Sequence, residues 1–242
     1  MSDIYIKAEN LSKCFRILQR ESTLLRAMKT FFRGESMTKE LWALKDVSFG
    51  IKKGEKVAVI GKNGSGKTTL LRLISGIYGE TSGCLEVSGI PATLFKCWIG
   101  FDLFLSVVDN VYLFGAIHGI DKRFLEMHME EVITTAGLYH LRYVPLKDLS
   151  SGQMQRLAIS IFFQASADFL IFDESFAFID NDFADKCEKY FTGLHSSPRT
   201  VIIASHDLAF LKKHCDRALW FEKGVLRMDG GVQEVLASYE RT

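Results

Sequence analysis

Short runs of apolar residues recur along this chain, and they predict buried β-strands. The clearest runs occupy residues 57–60, 169–172, 201–204 and 218–221. They are apolar throughout and do not alternate with polar residues, which is typical of strands that are covered on both faces of a sheet. Because helical segments alternate with these runs, the pattern favours a mostly parallel α/β sheet.

The helical segments are concentrated in one part of the chain. Residues 96–165, which include a helical pattern at 121–136, are predicted to be mainly helical. Residues 1–95 are rich in strands, and strands return from about residue 166. We therefore expect a single domain over residues 1–242, in which a helical subdomain at 96–165 is inserted into a core formed by 1–95 and 166–242.

The composition narrows the class of protein. The 30 basic and 29 acidic side chains nearly cancel, so no net field favours binding to nucleic acid. Five cysteines, none of them in a C-x-x-C pair, are more typical of free thiols in a reducing compartment than of a disulfide framework or a zinc site. The sequence has neither a signal-peptide pattern nor an apolar run of about 18 residues, so we expect a cytoplasmic protein that can bind a membrane partner.

The strand at 57–60 leads into the most informative segment, which fits the phosphate-binding loop pattern G-x-x-x-x-G-K-[ST] at every fixed position. Its glycines let backbone N–H groups wrap a phosphate chain at the N-terminus of the helix that follows. Lys67 is expected to reach the β- and γ-phosphates, and the Thr68 hydroxyl to bind Mg²⁺. The alternative is an incidental glycine turn that carries a lysine. The residues of this predicted nucleoside triphosphate site are Gly61, Lys62, Asn63, Gly64, Ser65, Gly66, Lys67, Thr68 and Thr69.

Two carboxylates follow the apolar run at 169–172. A buried strand delivers such groups to the carboxyl edge of a parallel sheet, where ligands bind. We expect Asp173 to hold Mg²⁺, directly or through water, and Glu174 to orient or deprotonate the attacking water. Many strands end in acids, so this pattern points to catalysis only because the phosphate-binding loop precedes it in the chain.

A second anion site is predicted where Leu149-Ser150-Ser151-Gly152-Gln153 precedes a helix. This segment closely resembles the LSGGQ signature of ATP-binding cassette (ABC) proteins, although a turn with a helix cap is the alternative. The resemblance implies an α/β phosphate-loop NTPase (RecA-like) core with an antiparallel β portion and an inserted helical subdomain. It also implies a head-to-tail homodimer closed over two ATP molecules, in which the signature of one chain meets the nucleotide of the other.

The same resemblance assigns three further residues. His206, which follows the strand at 201–204, matches the switch histidine that contacts the γ-phosphate, although a lone histidine is usually structural. Asp180 lies seven residues after Asp173 and matches the loop that communicates across the dimer. Phe15 matches the aromatic that stacks on adenine, although an aromatic near a strand end is as often part of a core.

One element of the ABC pattern is missing. These proteins usually carry a glutamine before the helical subdomain that touches Mg²⁺ or water, but no glutamine occurs between Gln19 and Gln153. Residues 96–101 stand at the corresponding place. Because of this departure, the sequence does not show which groups complete the coordination of Mg²⁺. The other elements still lead us to expect ATP hydrolysis.

A narrower resemblance is to the ATP-binding subunits of bacterial polysaccharide exporters, which handle O-antigen, capsule or teichoic acid. It implies a peripheral motor at the cytoplasmic face of the bacterial inner membrane, which drives separate permease subunits that move a lipid-linked polysaccharide. Some larger members append a carbohydrate-binding domain, and we expect none in a chain that stops at Thr242. The segments that carry this resemblance are 41–49, 100–101, 109–113, 205–208 and 215–220.

Other functions within the same superfamily stay open. The chain could drive an importer or an exporter of drugs or lipids, since the permease and not the ATP site holds the translocation path. It could also be a soluble ABC ATPase that acts on DNA, ribosomes or iron–sulfur assembly. The single cassette, the absence of long heptad repeats and the balanced charge all argue against that class.

Two segments are predicted to meet the membrane partner. Residues 94–114 are rich in aromatic rings and stand where the family contacts its permease, although each ring could instead fill the core of the helical subdomain. Residues 16–40 form a basic, amphipathic insertion that could lie near the membrane, the permease or a lipid-linked sugar, or simply pack on the cassette. The rings of the first segment are Phe95, Trp98, Phe101, Phe104, Tyr112 and Phe114.

Overall fold

A computed structural model describes residues 4–18, 38–95, 100–174 and 181–242 of the chain. In this part of the molecule the strands form two sheets. The smaller sheet is antiparallel and has the order β2–β1–β4. Its strands are β1 (Ile4–Leu18), β2 (Thr38–Lys52) and β4 (Ser82–Val87).

The larger sheet has six strands in the order β5–β6–β7–β3–β8–β9, and only β9 runs antiparallel to its neighbour. Every residue of β3, β6 and β7 is buried, which explains why their sequences are apolar without alternation. The strands are β3 (Lys56–Ile60), β5 (Pro91–Leu94), β6 (Phe169–Asp173), β7 (Thr200–Ala204), β8 (Arg217–Glu222) and β9 (Val225–Gly231).

Seven α-helices accompany the sheets in the described ranges. Three of them, α2 to α4, pack together around a core that includes Val111, Phe114, Leu125 and Leu157, as the helical pattern predicts. None of the described helices is both long and apolar enough to cross a membrane. The helices are α1 (Lys67–Ile74), α2 (Val107–Ile117), α3 (Lys122–Thr135), α4 (Ser151–Phe162), α5 (Asn181–His195), α6 (Leu208–His214) and α7 (Val232–Glu240).

The aromatic segment before and within α2 divides between the core and the surface. Phe114 is fully buried, and the Phe101 ring packs on it with 4.7 Å between ring centroids. For Phe114, the expectation of a docking ring is therefore wrong, because the ring fills the subdomain core. Phe104 is 79% exposed, and among the described rings of residues 94–114 it is the one that lies mostly in solvent.

The loop before α2 is held by one buried amide. Asn110 is completely buried. Its Oδ1 accepts a hydrogen bond from the Asp102 N–H at 2.8 Å, and its Nδ2 faces the carbonyl oxygens of Asp102, Leu105 and Ser106 at 2.9–3.1 Å. The three carbonyls also accept backbone hydrogen bonds, from the N–H groups of Leu105, Leu146 and Asn110. The amide thus adds a second set of bonds to the loop and holds the conformation in which Phe104 reaches solvent.

Asn110→Ala should lower the free energy of unfolding by about 1–3 kcal/mol, because it removes the hydrogen bonds that a fully buried amide makes to the loop. Urea unfolding of the purified chain measures this change. Glu130→Ala, an exposed change on α3, serves as the control and should alter stability by less than about 0.5 kcal/mol. Equal stability of the two variants would show that the amide does not hold the loop.

Candidate nucleotide site

The carboxyl ends of three adjacent strands bring the predicted catalytic groups together. Lys67 follows the loop after β3, Glu174 follows β6, and His206 follows β7. Glu174 Oε1 lies 3.0 Å from His206 Nε2 and 3.7 Å from Lys67 Nζ. His206 Nε2 also lies 3.1 Å from Asn63 Oδ1. Since both neighbours of this nitrogen are oxygens, we assign a proton to it.

The phosphate-binding loop approaches other backbone so closely that two positions admit only glycine. Gly61 and Gly66 have φ angles of 147° and 109°. A Cβ at Gly61 would lie 2.3 Å from the Phe221 carbonyl oxygen, and one at Gly66 would lie 2.6 Å from that of Ala43. The loop curls back over its own lysine, since Lys67 Nζ donates to the Gly61 carbonyl at 2.8 Å.

The groups expected to hold Mg²⁺ are already neighbours. The Thr68 hydroxyl donates to Asp173 Oδ2 at 2.8 Å. Burial raises the pKa of Asp173 above its usual value, and the hydrogen bond from Thr68 opposes this shift. A hydroxyl and a carboxylate are the hard oxygen ligands that Mg²⁺ prefers, so these two residues fit the ion.

A buried hydroxyl in the loop also fits a bound phosphate or water. Ser65 is 4% exposed, and its Oγ has no hydrogen-bond partner among the residues that the structure describes. A buried polar atom without a partner is costly. A ligand in the loop, or water, would supply the acceptor that the described chain does not.

Glu174 occupies an unusual backbone conformation. Its φ is 53°, in the left-handed region that side chains larger than glycine rarely adopt. Its N–H donates to the Ala204 carbonyl at 2.9 Å, which ties it to β7. The strained turn directs the carboxylate toward His206 instead of continuing the strand.

The signature segment forms the N-terminus of α4, as predicted. Ser150 caps the helix through a reciprocal pair of hydrogen bonds with Gln153. Ser151 is exposed in the first turn, and Gly152 is half-buried. Within the described ranges, no hydrogen bond or ion pair joins residues 150–153 to residues 61–68.

Phe15 lies beside the phosphate-binding loop through strand pairing. Phe15 pairs with Leu41 of β2. Two residues further along β2, the Ala43 carbonyl oxygen lies against Gly66 of the loop. The Phe15 ring is half-buried and meets Tyr78 edge-on with 5.4 Å between centroids. The contribution of Ala43 and Tyr78 has no signal in the sequence, because neither residue belongs to a motif.

Several predicted elements fall outside the described residues. Asp180 is one of them. Residues 96–99, which stand where the family glutamine is missing, and most of the 16–40 insertion (residues 19–37) are others. The roles assigned to them remain predictions.

Comparison with known proteins identifies the family. The profile of the ABC transporter family matches residues 44–177. The chain belongs to this family. The resemblance found in the signature and phosphate-binding motifs is therefore confirmed.

Several of its relatives are named as ATP-binding proteins of teichoic acid or O-antigen export. The chain is 32% identical to the teichoic acids export ATP-binding protein TagH of Lactococcus lactis, over 98% of this chain and 51% of that protein. It is 33% identical to the O-antigen export system ATP-binding protein RfbB of Myxococcus xanthus, over 90% and 50%. An RfbB protein of Klebsiella pneumoniae is 32% identical over 82% of this chain and 81% of its own length. The chain thus spans about half the length of the first two relatives. The resemblance to the ATP-binding subunits of polysaccharide exporters is confirmed.

Solved structures agree on the fold. The ATP-binding cassette MJ0796, solved as a dimer in a post-hydrolysis state bound to ADP and Pi, superposes with a TM-score of 0.74 at 20% identity and covers 94% of this chain and 98% of its own. The cassette cbiO1 of Clostridium perfringens, part of the transporter complex cbiONQ, gives 0.68 at 25% identity and covers 99% and 93%. The predicted fold class, an α/β phosphate-loop NTPase with an antiparallel portion and a helical block, is confirmed.

Gly66→Ala should abolish nucleotide binding and destabilise the fold by about 1–3 kcal/mol, because a methyl group in this conformation collides with backbone. Titration with a fluorescent ATP analogue and thermal unfolding measure the two effects. Gly193→Ala, within α5 and with open space around it, is the matched control. It should leave nucleotide binding unchanged and should not destabilise the fold, because alanine is favoured over glycine in a helix. Normal binding by Gly66→Ala would contradict the loop geometry.

Proposed function

We propose that this chain is the ATP-hydrolysing motor of a membrane ABC transporter that exports a lipid-linked polysaccharide. The observation that carries the catalytic part is the meeting of Lys67, Glu174 and His206 at one edge of the sheet, where Glu174 Oε1 lies 3.7 Å from Lys67 Nζ and 3.0 Å from His206 Nε2. The names of the relatives support the transported substrate.

In the proposed reaction, the phosphate-binding loop and Lys67 hold the triphosphate. Glu174 accepts a proton from water as the water oxygen attacks the γ-phosphorus, and the bond to the β–γ bridging oxygen breaks to give ADP and phosphate. Thr68 and Asp173 would hold Mg²⁺, which neutralises charge on the leaving oxygen. His206 would donate its Nε2–H to the γ-phosphate.

The electrostatics of the site suggest how nucleotide switches it on. In the structure, Glu174 Oε1 lies close to both Lys67 Nζ and His206 Nε2. A γ-phosphate carries more charge than a carboxylate, so it would draw these two donors to itself. Glu174 would then be released to act on water, and hydrolysis would wait for a bound triphosphate.

The site is completed, in this proposal, by a second copy of the chain. Ser151 and Gly152 present a hydroxyl and N–H groups at the N-terminus of α4, which suits a phosphate, and their own phosphate-binding loop does not use them. Asp180 would communicate across the same interface. The homodimer therefore holds two ATP molecules, each between the loop of one chain and the signature of the other.

The names of the relatives support the proposed partners and location. Integral-membrane permease subunits would hold the polysaccharide path, and the motor would bind them at the cytoplasmic face of the bacterial inner membrane. A motor for another transported substrate, including an importer, has the same ATP site. The chain segments 1–95 and 166–242 would form the ATP-binding core and 96–165 the subdomain that contacts the permease.

An exposed aromatic surface on the helical subdomain suits that contact. Leu103, Phe104 and Leu105 are 47%, 79% and 40% exposed, and backbone hydrogen bonds to Leu146 and Lys147 hold them in place. Aromatic and apolar anchors on an ordered loop are favoured in interfaces. We take this surface, residues 103–105, as the permease contact.

Glu174→Gln should bind ATP like the native chain and lower turnover by roughly 10²–10⁴, the usual effect of losing a positioned base. Lys67→Ala should instead lose both binding and turnover, because the main cation facing the γ-phosphate is gone. Phosphate release and nucleotide titration separate the two cases, with the exposed change Glu131→Gln as control. Normal turnover by Glu174→Gln would assign the base to another group.

Phe104→Asp should weaken association with the co-expressed permease while leaving ATP binding intact, because it places a charge in an apolar contact. Met127→Asp, an equally exposed apolar residue on α3, is the control and should leave association unchanged. Copurification from membranes and nucleotide titration provide the readouts. If the Phe104 variant copurifies normally, the permease binds elsewhere.

A further inference from the structure

The ring of Phe15 is supported by groups that belong to no nucleotide motif. Tyr78 meets it edge-on, at an interplanar angle of 73°. Lys13 Nζ lies 5.3 Å from the centroid of the Phe15 ring and 5.7 Å from that of Tyr78. One cation therefore faces two rings that are 63 positions apart in the sequence.

Lys13 is held in this place by the backbone. Its Nζ donates a hydrogen bond to the Gly79 carbonyl at 2.6 Å. No carboxylate in the described ranges forms an ion pair with it. The ammonium group therefore faces the two rings without a competing carboxylate, which is the arrangement of a cation–π contact.

Tyr78 is also anchored by the helix that follows the phosphate-binding loop. Arg72, in the last turn of α1, donates to the Tyr78 hydroxyl at 2.9 Å, and its guanidinium lies 5.6 Å from the Tyr78 centroid. The Tyr78 N–H also donates to the Arg72 carbonyl at 3.1 Å. Because α1 begins at Lys67, one short helix carries the phosphate lysine at its start and the support of Phe15 at its end.

We propose that Lys13 and Tyr78 are positioning residues for the nucleotide base. They fix the Phe15 ring against rotation, so less side-chain entropy is lost when a purine stacks on it. The Lys13 ammonium group draws the π-electron density of the Phe15 ring toward itself, which favours stacking of that ring with an electron-rich base. The inference rests on the proposed function, since it takes Phe15 as the ring that stacks on adenine.

The experiment compares a ligand that has a base with one that has none. Dissociation constants for Mg²⁺–ATP and for Mg²⁺–tripolyphosphate are measured by calorimetry on the native chain and its variants. Lys13→Gln should weaken ATP binding about two- to five-fold, the scale of an exposed cation–π contact, and leave tripolyphosphate binding unchanged. Lys13→Arg should retain native affinity for both ligands.

Lys53→Gln is the matched control. Lys53 Nζ lies 5.9 Å from the ring of Tyr5, a comparable contact that involves none of these residues, so both affinities should stay native. Tyr78→Leu gives a second, independent variant, which should weaken ATP but not tripolyphosphate binding even if Lys13→Gln folds poorly.

Two results would overturn the inference. In the first, the Lys13 and Tyr78 variants bind ATP like the native chain. In the second, they lose affinity for ATP and tripolyphosphate by the same factor, as a general disturbance of the phosphate-binding loop would cause. Failure of the proposed function looks different, because the native chain itself would then bind neither ligand.

Discussion

The side-by-side order of β6, β7 and β3 is the constraint on which the candidate site depends. These strands are buried throughout and parallel, so their carboxyl ends meet at one edge. Asn63 and His206 are 143 positions apart in the chain and 3.1 Å apart in space for this reason. Each loop that leaves this edge needs to contribute only a few residues to the site, because the sheet already holds the loops next to one another.

The polar and ionisable side chains at this edge lie against one another. Lys67 and His206 surround Glu174, while Thr68 donates to the buried Asp173. The side chains proposed to bind a triphosphate thus also contact one another. In the proposed binding step, the contacts of Lys67 and His206 with Glu174 would be exchanged for contacts with the γ-phosphate.

Much of this arrangement could be predicted from the sequence, because its signals are local. The strand at 57–60, the glycines after it and the carboxylates after residue 172 each specify their own conformation. The α4 cap could also be predicted, since Ser150 and Gln153 form a capping pair three residues apart. The conformation of each of these elements is determined by a few consecutive residues.

The features that could not be predicted depend on contacts between distant segments. Phe104 and Phe114 look alike in the sequence, yet one is exposed and the other buried, since the loop held by Asn110 turns between them. The support of Phe15 by Lys13 and Tyr78 joins a strand to the turn after α1. No periodicity signals such pairs.

In the proposed mechanism, the site formed by Lys67, Glu174 and His206 hydrolyses ATP only when a second copy of the chain supplies Ser151. The most direct measurement is the ATPase rate per chain of the purified protein over a wide range of protein concentration, with light scattering in parallel. The account predicts a rate per chain that rises with concentration as ATP-bound dimers form. A constant rate per chain from a protein that remains monomeric would contradict it.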